Sequence, residues 1–292
     1  MNIENQKEFI EKVKKLNSGK NMKYAIYTMG CQLNENDSEK ISGMMEEMGY
    51  LLTDNLEDAN CIIFNTCCVR ENAEDKLFGK VGEVKKFKEK NDATIAICGC
   101  MMQEKHIVEK LKKSYPFVDI IFGTHTIHKF PEDLFNALST KKNILDILDI
   151  DGEVIEGLPI KRNDKTKASV TIMNGCNNFC TYCIVPYTRG KQRSRHPEHI
   201  LEEVKELVKD CYKEVTLLGQ NVNAYGKDLD INYKMENLLE DVAKTGIERV
   251  RFVTSHPWNF TDNMIETIKK YPNIMPYIHL PLQSGSSKIL KL

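Results

Sequence analysis

Three cysteines are spaced for metal chemistry. Cys176-Asn177-Asn178-Phe179-Cys180-Thr181-Tyr182-Cys183 is a C-x3-C-x2-C run. Three thiolates at this spacing bind three irons of a cubane 4Fe-4S cluster and leave the fourth iron without a protein ligand. A cluster that only carries electrons normally takes four cysteines, so the open iron points to a chelating ligand. The amino and carboxylate groups of S-adenosylmethionine would serve. An electron passed into its sulfonium breaks a C–S bond and releases a 5′-deoxyadenosyl radical. Zinc is the competing reading, but its sites favour paired C-x2-C spacings.

A second trio is scattered along the chain. Cys31 follows one β-type run in Met29-Gly30-Cys31, Cys67 follows another in Asn65-Thr66-Cys67, and Cys100 follows a third in Cys98-Gly99-Cys100. Each lies just past the carboxyl end of an expected parallel strand, where open α/β sheets bind their ligands. Helix N-termini converge at the same edge and favour an anionic, thiolate-bound group. Cys68 adjoins Cys67 and competes with it as a ligand. Cys61 and Cys98 fall inside strands and read as core packing, and Cys211 falls near a helix end.

The elements that must position these cysteines alternate regularly. Apolar β-type runs at 24–28, 61–65, 94–98 and 118–122 are followed by helical patterns at 36–48, 71–88, 103–113 and 127–138. Such alternation with short connections argues for a parallel sheet covered by helices. Residues 1–22 read as a charged, partly helical extension, 23–148 as the first domain, and the polar stretch 149–167 as a linker. A second alternation covers 168–292, with strands at 168–173, 214–218, 250–254 and 277–280 and helices at 197–209, 235–244 and 261–270. Four strand–helix units resemble half of an α/β barrel, since eight take roughly 250 residues. The chain stops at Leu292 in an expected helix after the fourth strand, which suggests an incomplete barrel. The expected fold is therefore α/β, an open parallel-sheet domain followed by a partial barrel.

Composition narrows the setting. The 292 residues are 41% hydrophobic and 28% charged, with ten cysteines, and no apolar run approaches a bilayer span. The charged N-terminus lacks the apolar stretch of a secretory signal, so a cytoplasmic protein without membrane association is expected. Ten cysteines in a reducing compartment favour metal binding over disulfides. The net charge of −1 gives no global case for nucleic acid, but it is unevenly spread. Between Lys161 and Arg195 there are eight Lys or Arg against one acid, Asp164, a local +7 that leaves −8 for the remainder. This basic run brackets the C-x3-C-x2-C motif and suits an anionic ligand.

The C-x3-C-x2-C loop, placed after a first strand, resembles that of the radical S-adenosylmethionine superfamily. With both trios placed, the chain resembles the methylthiotransferases over essentially its whole length. The matching stretches include Thr28-Met29-Gly30-Cys31-Gln32-Leu33-Asn34, Asn65-Thr66-Cys67 and Gly99-Cys100-Met101-Met102-Gln103. Three branches of that family compete. Two act on tRNA adenosines carrying an isopentenyl or a threonylcarbamoyl group, and one acts on a ribosomal protein aspartate. Val69-Arg70-Glu71-Asn72-Ala73-Glu74-Asp75-Lys76-Leu77-Phe78-Gly79, Tyr187-Thr188-Arg189-Gly190-Lys191 and 217–226 are similar to the isopentenyladenosine branch.

The resemblance implies two 4Fe-4S clusters, one on Cys31, Cys67 and Cys100 and one on Cys176, Cys180 and Cys183. It prefers Cys67 to Cys68, although a small residue is the family's usual choice at position 68. It implies that S-adenosylmethionine is used twice, to methylate a sulfur held at the first cluster and to yield the radical that takes hydrogen from C2 of the adenine. The methylthio group would then join C2 beside the anticodon. Phe179 and Tyr182 would flank the cluster and the adenine of the cofactor, and Gln220 would be a further cofactor contact; Ser255, His256 and Gln283, at barrel strand ends where ligands gather, are weaker candidates. Arg189, Lys191, Arg193 and Arg195 would face the RNA backbone or the cofactor carboxylate. Implied partners are the tRNA anticodon stem-loop and an electron donor such as flavodoxin or ferredoxin. The family's small β-rich RNA-binding domain is not in the sequence, so weak tRNA binding is expected of this chain. A non-catalytic iron–sulfur carrier is the reading from a different class.

Overall fold

Residues 3–69, 73–148 and 154–291 are described by a computed structural model, and their contacts divide them into two bodies. Residues 70–72 of the branch motif and 149–153 of the expected linker lie outside the described residues. The first body comprises residues up to Asn163 together with Cys180–Gly190, and the second Asp164–Phe179 together with Lys191 onward.

In chain order the first body contains α1 (Ile3–Asn17), β1 (Lys23–Met29), α2 (Gln32–Glu47), β2 (Leu51–Leu52), β3 (Cys61–Thr66), α3 (Ala73–Asn91), β4 (Thr94–Gly99), α4 (Lys105–Ser114), β5 (Ile120–Phe122), α5 (Phe130–Thr140) and β6 (Ile144–Asp146). Among the described residues these strands form one six-stranded parallel sheet, ordered β2-β1-β3-β4-β5-β6. The order reverses between β1 and β3, which is where an open α/β sheet leaves a crevice at its carboxyl edge.

Alternation of side chains builds two cores from one sheet. Ile62, Phe64, Ile95 and Ile97 face α3 and α4. Cys61, Ile63, Ala96 and Cys98 face α2, α5 and α1. Cys61 and Cys98 are fully buried there, and burial pushes both thiols up. The N-terminal segment belongs to this core, because Ile10 and Val13 of α1 are buried in it and Phe9 meets Phe135 at 5.7 Å. The last part of the expected linker is also anchored. The Lys161 and Asn163 backbone amides donate to the Glu39 carbonyl and carboxylate at 3.0 Å each, and Arg162 pairs with Glu39 at 3.1 Å.

The second body has β7 (Lys167–Thr171), β8 (Met173–Asn174), β9 (Arg193–Ser194), α7 (Pro197–Lys209), β10 (Glu214–Leu218), α8 (Met235–Ala243), β11 (Arg249–Phe252) and α9 (Asp262–Lys270). The short helix α6 (Val185–Thr188) belongs to the first body. β11-β10-β7 form a three-stranded parallel sheet, and β8 and β9 a small antiparallel pair. Val170, Leu217, Val250 and Phe252 pack on Ile200, Val204, Leu238 and Leu239 of α7 and α8.

The fourth expected strand, 277–280, does not form. Among the described residues one parallel bridge, Val250 with Ile274, continues the sheet. Pro276 and Pro281 bracket the segment and remove two backbone donors that a ladder would need. The final segment holds a 3-10 turn at Ile289–Lys291 in place of the expected helix.

Candidate functional site

The cysteines of the first body are brought together by strand register. Met29 of β1 lies opposite Thr66 of β3, and Thr66 lies opposite Gly99 of β4. The three strands therefore end level, and Cys31, Cys67 and Cys100 leave from adjacent points on one edge. Cys31 serves as N-cap of α2, which starts four residues earlier than the periodicity alone predicts. Cys100 opens a 3-10 turn that runs to Gln103 and leads into α4.

A buried polar lattice holds this edge. Asn34 occupies the third helical position after Cys31, and its Oδ1 accepts the Cys31 backbone N–H at 3.3 Å in the manner of a capping box. Its Nδ2 donates to Asn65 Oδ1 (3.0 Å) and to the Thr66 carbonyl (3.1 Å). Asn65 Nδ2 donates to the Asn34 carbonyl (2.8 Å) and to Ser38 Oγ (2.9 Å). Ser38 Oγ lies 2.7 Å from Thr28 Oγ1, and Thr66 Oγ1 donates to the Cys98 carbonyl at 2.7 Å. Gly99 closes the frame at φ +100°, where a Cβ would lie 2.2 Å from the Thr66 carbonyl oxygen. The motif residues around each cysteine are thus the scaffold that sets it.

Sulfur chemistry follows from this crowding. Cys67 hydrogen-bonds to Cys31 and, with help from Asn34 and the charge of Arg189, holds the Cys31 thiol well below its ordinary value against its burial. Cys68 does the same for Cys100, which is lowered with Arg189 assisting against burial. The two donors, Cys67 and Cys68, are pushed up in return. Four thiols, not three, therefore meet at this edge, with Cys68 also reaching Thr188 Oγ1 at 3.8 Å. Among the described residues no three His, Cys, Asp or Glu side chains close on a single metal ion. A cubane places its thiolates on separate irons, and the donor set here, three strand-end cysteines beside a cation, fits that larger group.

The basic residues of the motif stretch fall in different environments. Arg189 does not face solvent. It is 4% exposed, donates from Nε to Cys100 Sγ at 3.0 Å, and pairs with Asp37 at 2.8 Å. The expectation that it contacts RNA backbone is corrected, because a buried guanidinium already held by a carboxylate and a thiol is not a phosphate ligand. Arg195 is also turned inward, donating to the Thr171 carbonyl and to Glu203 at 2.7 Å each. Arg193 is half-buried in β9 opposite Asn174, while Lys191 is exposed.

Cys180 and Cys183 lie half-buried in the first body, in a turn closed by the Cys183 amide on the Cys180 carbonyl at 2.8 Å. Exposed Tyr182 is in the same turn. Cys176 is buried in the second body after Gly175 at φ +76°, near exposed Phe179 at φ +47°. In the second body the carboxyl ends of β10 and β11 gather polar groups. Asn223 and His256 are doubly bonded, Nδ2 to carbonyl at 2.7 Å and amide to Oδ1 at 2.9 Å. Beside them Gln220 Oε1, Asn221 Oδ1 and Ser255 Oγ are buried without a hydrogen-bond partner. Thr254 (φ +69°) and Gln283 (φ +69°) hold left-handed backbone that β-branched and long side chains avoid. Unpaired buried oxygens at strand ends are what a polar ligand satisfies. A cleft of about 330 Å³ opens next to Asn177, Gln192, Lys227 and Asp228.

Residues 23–123 match the model of "Uncharacterized protein family UPF0004", and 170–292 match that of the radical SAM superfamily. The tRNA-2-methylthio-N(6)-dimethylallyladenosine synthase of Acetivibrio thermocellus is 50% identical over 98% of this chain and 62% of its own length. That of Clostridium perfringens is 55% identical over 92% of this chain and 60% of its own. The Staphylococcus haemolyticus protein of the same name is 53% identical, with 94% and 54% covered. Over more than nine-tenths of its residues the chain is similar to these methylthiotransferases. It spans about three-fifths of the length of these methylthiotransferase relatives. A solved radical S-adenosylmethionine methyltransferase, TsrM from Kitasatospora setae with tryptophan and a cofactor analogue bound, shares the fold. It superposes with a TM-score of 0.60 at 12% identity, over 92% of this chain and 60% of that one. Asn34, Asn65 and Asp37 are positioning residues that sequence reasoning passed over. Two polar residues ending the run Cys61-Ile62-Ile63-Phe64-Asn65-Thr66 are the signal that could have marked the lattice.

Proposed function

We propose that the chain carries the cluster-binding and radical-forming modules of an enzyme that adds a methylthio group to C2 of N6-isopentenyladenosine beside the anticodon of tRNA. The observation that carries this reading is the level ending of β1, β3 and β4, which delivers Cys31, Cys67 and Cys100 to one edge in a chain that also bears Cys176, Cys180 and Cys183. The names of relatives at 50–55% identity support the substrate. Each trio would hold one 4Fe-4S cluster, and S-adenosylmethionine would bind at the carboxyl ends of β10 and β11. Bound there, these groups supply one-electron chemistry, the transferred methyl and the inserted sulfur.

The chain's own residues do the positioning. Gly99 and the Asn34–Asn65 pair keep the first trio level, and the orphaned oxygens of Gln220, Asn221 and Ser255 offer acceptors to a polar cofactor. Lys191 is the exposed cation of its stretch suited to an anionic anticodon loop, whose unstacked bases are the usual targets of RNA recognition. An electron donor such as flavodoxin or ferredoxin and a cytoplasmic setting complete the proposal. No described helix is long and apolar enough to cross a membrane.

Reconstitution with iron and sulfide without oxygen tests it. The chain should bind about eight irons, falling to about four in a Cys176/Cys180/Cys183 triple-alanine variant. The parent, supplied with reductant, should cleave S-adenosylmethionine. Mass spectrometry of tRNA nucleosides from a strain lacking the gene should show loss of the methylthio group from isopentenyladenosine. Loss from threonylcarbamoyladenosine instead would reassign the branch, and absence of cofactor cleavage would leave an iron–sulfur carrier.

A further inference from the structure

Arg189, within the Tyr187–Lys191 stretch, commits its charge to the first cysteine site. It caps α6, six residues after Cys183, and its backbone is fixed twice over. Its amide donates to the Val185 carbonyl at 2.8 Å, and the preceding Thr188 carbonyl accepts Thr124 Oγ1 at 2.9 Å. Thr124 follows the end of β5, so α6 is pinned to the same carboxyl edge that carries the cysteines. The guanidinium then divides. Nη2 donates to Asp37 Oδ2 at 2.8 Å and Nε donates to Cys100 Sγ at 3.0 Å. Asp37 lies on α2, the helix that begins at Cys31.

A buried guanidinium needs a carboxylate, and one carboxylate would satisfy its charge. The Nε–H could have met a backbone carbonyl and instead meets a sulfur. Hydrogen bonds to ligating sulfurs and the net charge around them set the reduction potential of an iron–sulfur cluster. A cation donating to a thiolate stabilises the reduced, more negative cluster. A carboxylate behind that cation opposes the effect.

We infer that Arg189 is a positioning residue that raises the reduction potential of the group held by Cys31, Cys67 and Cys100 through its bond to Cys100, and that Asp37 sets how much of its charge reaches the sulfur. The inference rests on the cluster assignment made under Proposed function. It places a residue of the stretch following Cys183 in control of the other cysteine trio.

The test uses the full chain with Cys176, Cys180 and Cys183 changed to alanine, so that only the first site can load. Iron is counted, and the midpoint potential is read by a redox titration followed by electron paramagnetic resonance. Arg189→Gln should lower the midpoint, Asp37→Asn should raise it, and Arg189→Lys should fall between Arg189→Gln and the parent. Shifts of opposite sign are not what loosened packing would give. If Arg189→Gln fails to fold because Asp37 is left unpaired, the Arg189→Gln/Asp37→Asn double variant replaces it and should lie below Asp37→Asn alone. A parent that loads no iron would sink the cluster assignment itself. Iron retained with midpoints unchanged, or shifted in one direction by both substitutions, would overturn the role of Arg189 while leaving the cluster in place.

Discussion

Asn34 and Asn65 hold each other by reciprocal amide bonds, Asn34 Nδ2 to Asn65 Oδ1 at 3.0 Å and Asn65 Nδ2 to the Asn34 carbonyl at 2.8 Å. The first turn of α2 is thereby fastened to the end of β3, and Cys31 is fixed relative to Cys67. Asn65→Ala removes both of these bonds and a third, to Ser38 Oγ, from a fully buried position. It should cost about 3 kcal/mol. Asn65→Asp keeps the size but loses the two donors. In urea titrations both variants should unfold early, and in the chain lacking Cys176, Cys180 and Cys183 both should retain less iron than the parent. Full iron with lowered stability would show that the lattice supports the fold without setting the cysteines.

Gly99 carries a sharper constraint. At φ +100° and ψ −171° it occupies backbone space open essentially to glycine alone. An added methyl would also press on the Thr66 carbonyl at 2.2 Å and Asn65 Oδ1 at 2.6 Å. Gly99→Ala should destabilise by about 3 kcal/mol or more, measured by chemical denaturation. Gly79→Ala is the control, since nothing lies within 4 Å of its added Cβ and the site is helical. It should be neutral or slightly stabilising.

The parallel sheet was legible because β3 and β4 are continuous apolar runs, and the cysteine trio was legible because each member follows such a run. The environment of Arg189 was not. Its partners Asp37 and Cys100 lie 152 and 89 residues away, and a basic residue in a basic stretch carries no local mark of burial. Residues 277–280 misled in the opposite direction: Tyr277, Ile278 and Leu280 have strand-forming types, but the flanking prolines and a single bridge at Ile274 decide the outcome. The edge strands β2 and β6, two and three residues long, were too short to leave a periodic signal.

Burial of Asp133 makes stability depend on pH. Its carboxyl is pushed up to about 8, first by burial and then by Asp146 and Glu132, with Lys129 opposing. Because the folded value lies above the unfolded value, the folded state holds the proton more tightly. Stability should therefore decline as pH rises from about 4 to about 8 and level off beyond. Asp133→Asn should flatten that slope and raise stability at pH 8 by about 2 kcal/mol. Thermal melts of both forms at pH 5.5 and pH 8 check this. A parallel decline in the two proteins would assign the slope elsewhere.

Arg195 and Lys191 should separate fold from RNA contact. Arg195 and Glu203 are 11% and 16% exposed, so Arg195→Ala leaves a carboxylate and the Thr171 carbonyl short of a donor. It should cost about 2 kcal/mol and leave the salt dependence of anticodon stem-loop binding unchanged. Lys191→Ala should leave stability alone and reduce the slope of log affinity against log salt by about 1. Filter binding at several low salt concentrations reads both. A reduced slope in Arg195→Ala would mean that its buried pairing opens on RNA.

Ser255 offers a split between stability and binding. Its Oγ is buried with no hydrogen-bond partner, at the carboxyl end of β11 and in company with the orphaned oxygens of Gln220 and Asn221. An unsatisfied buried hydroxyl costs the free protein about 1 kcal/mol or more, so Ser255→Ala should raise the melting temperature in the absence of cofactor. If that hydroxyl is kept for S-adenosylmethionine, the same substitution should weaken cofactor binding about tenfold, the loss of roughly one hydrogen bond of 1.4 kcal/mol. Equilibrium dialysis with labelled cofactor measures the affinity, and calorimetry of the cofactor-free chain measures the stability. Higher stability joined to lower affinity is the signature of a polar group held ready for a ligand. Higher stability with affinity intact would make Ser255 a packing defect and move the cofactor contact to Gln220 or Asn221.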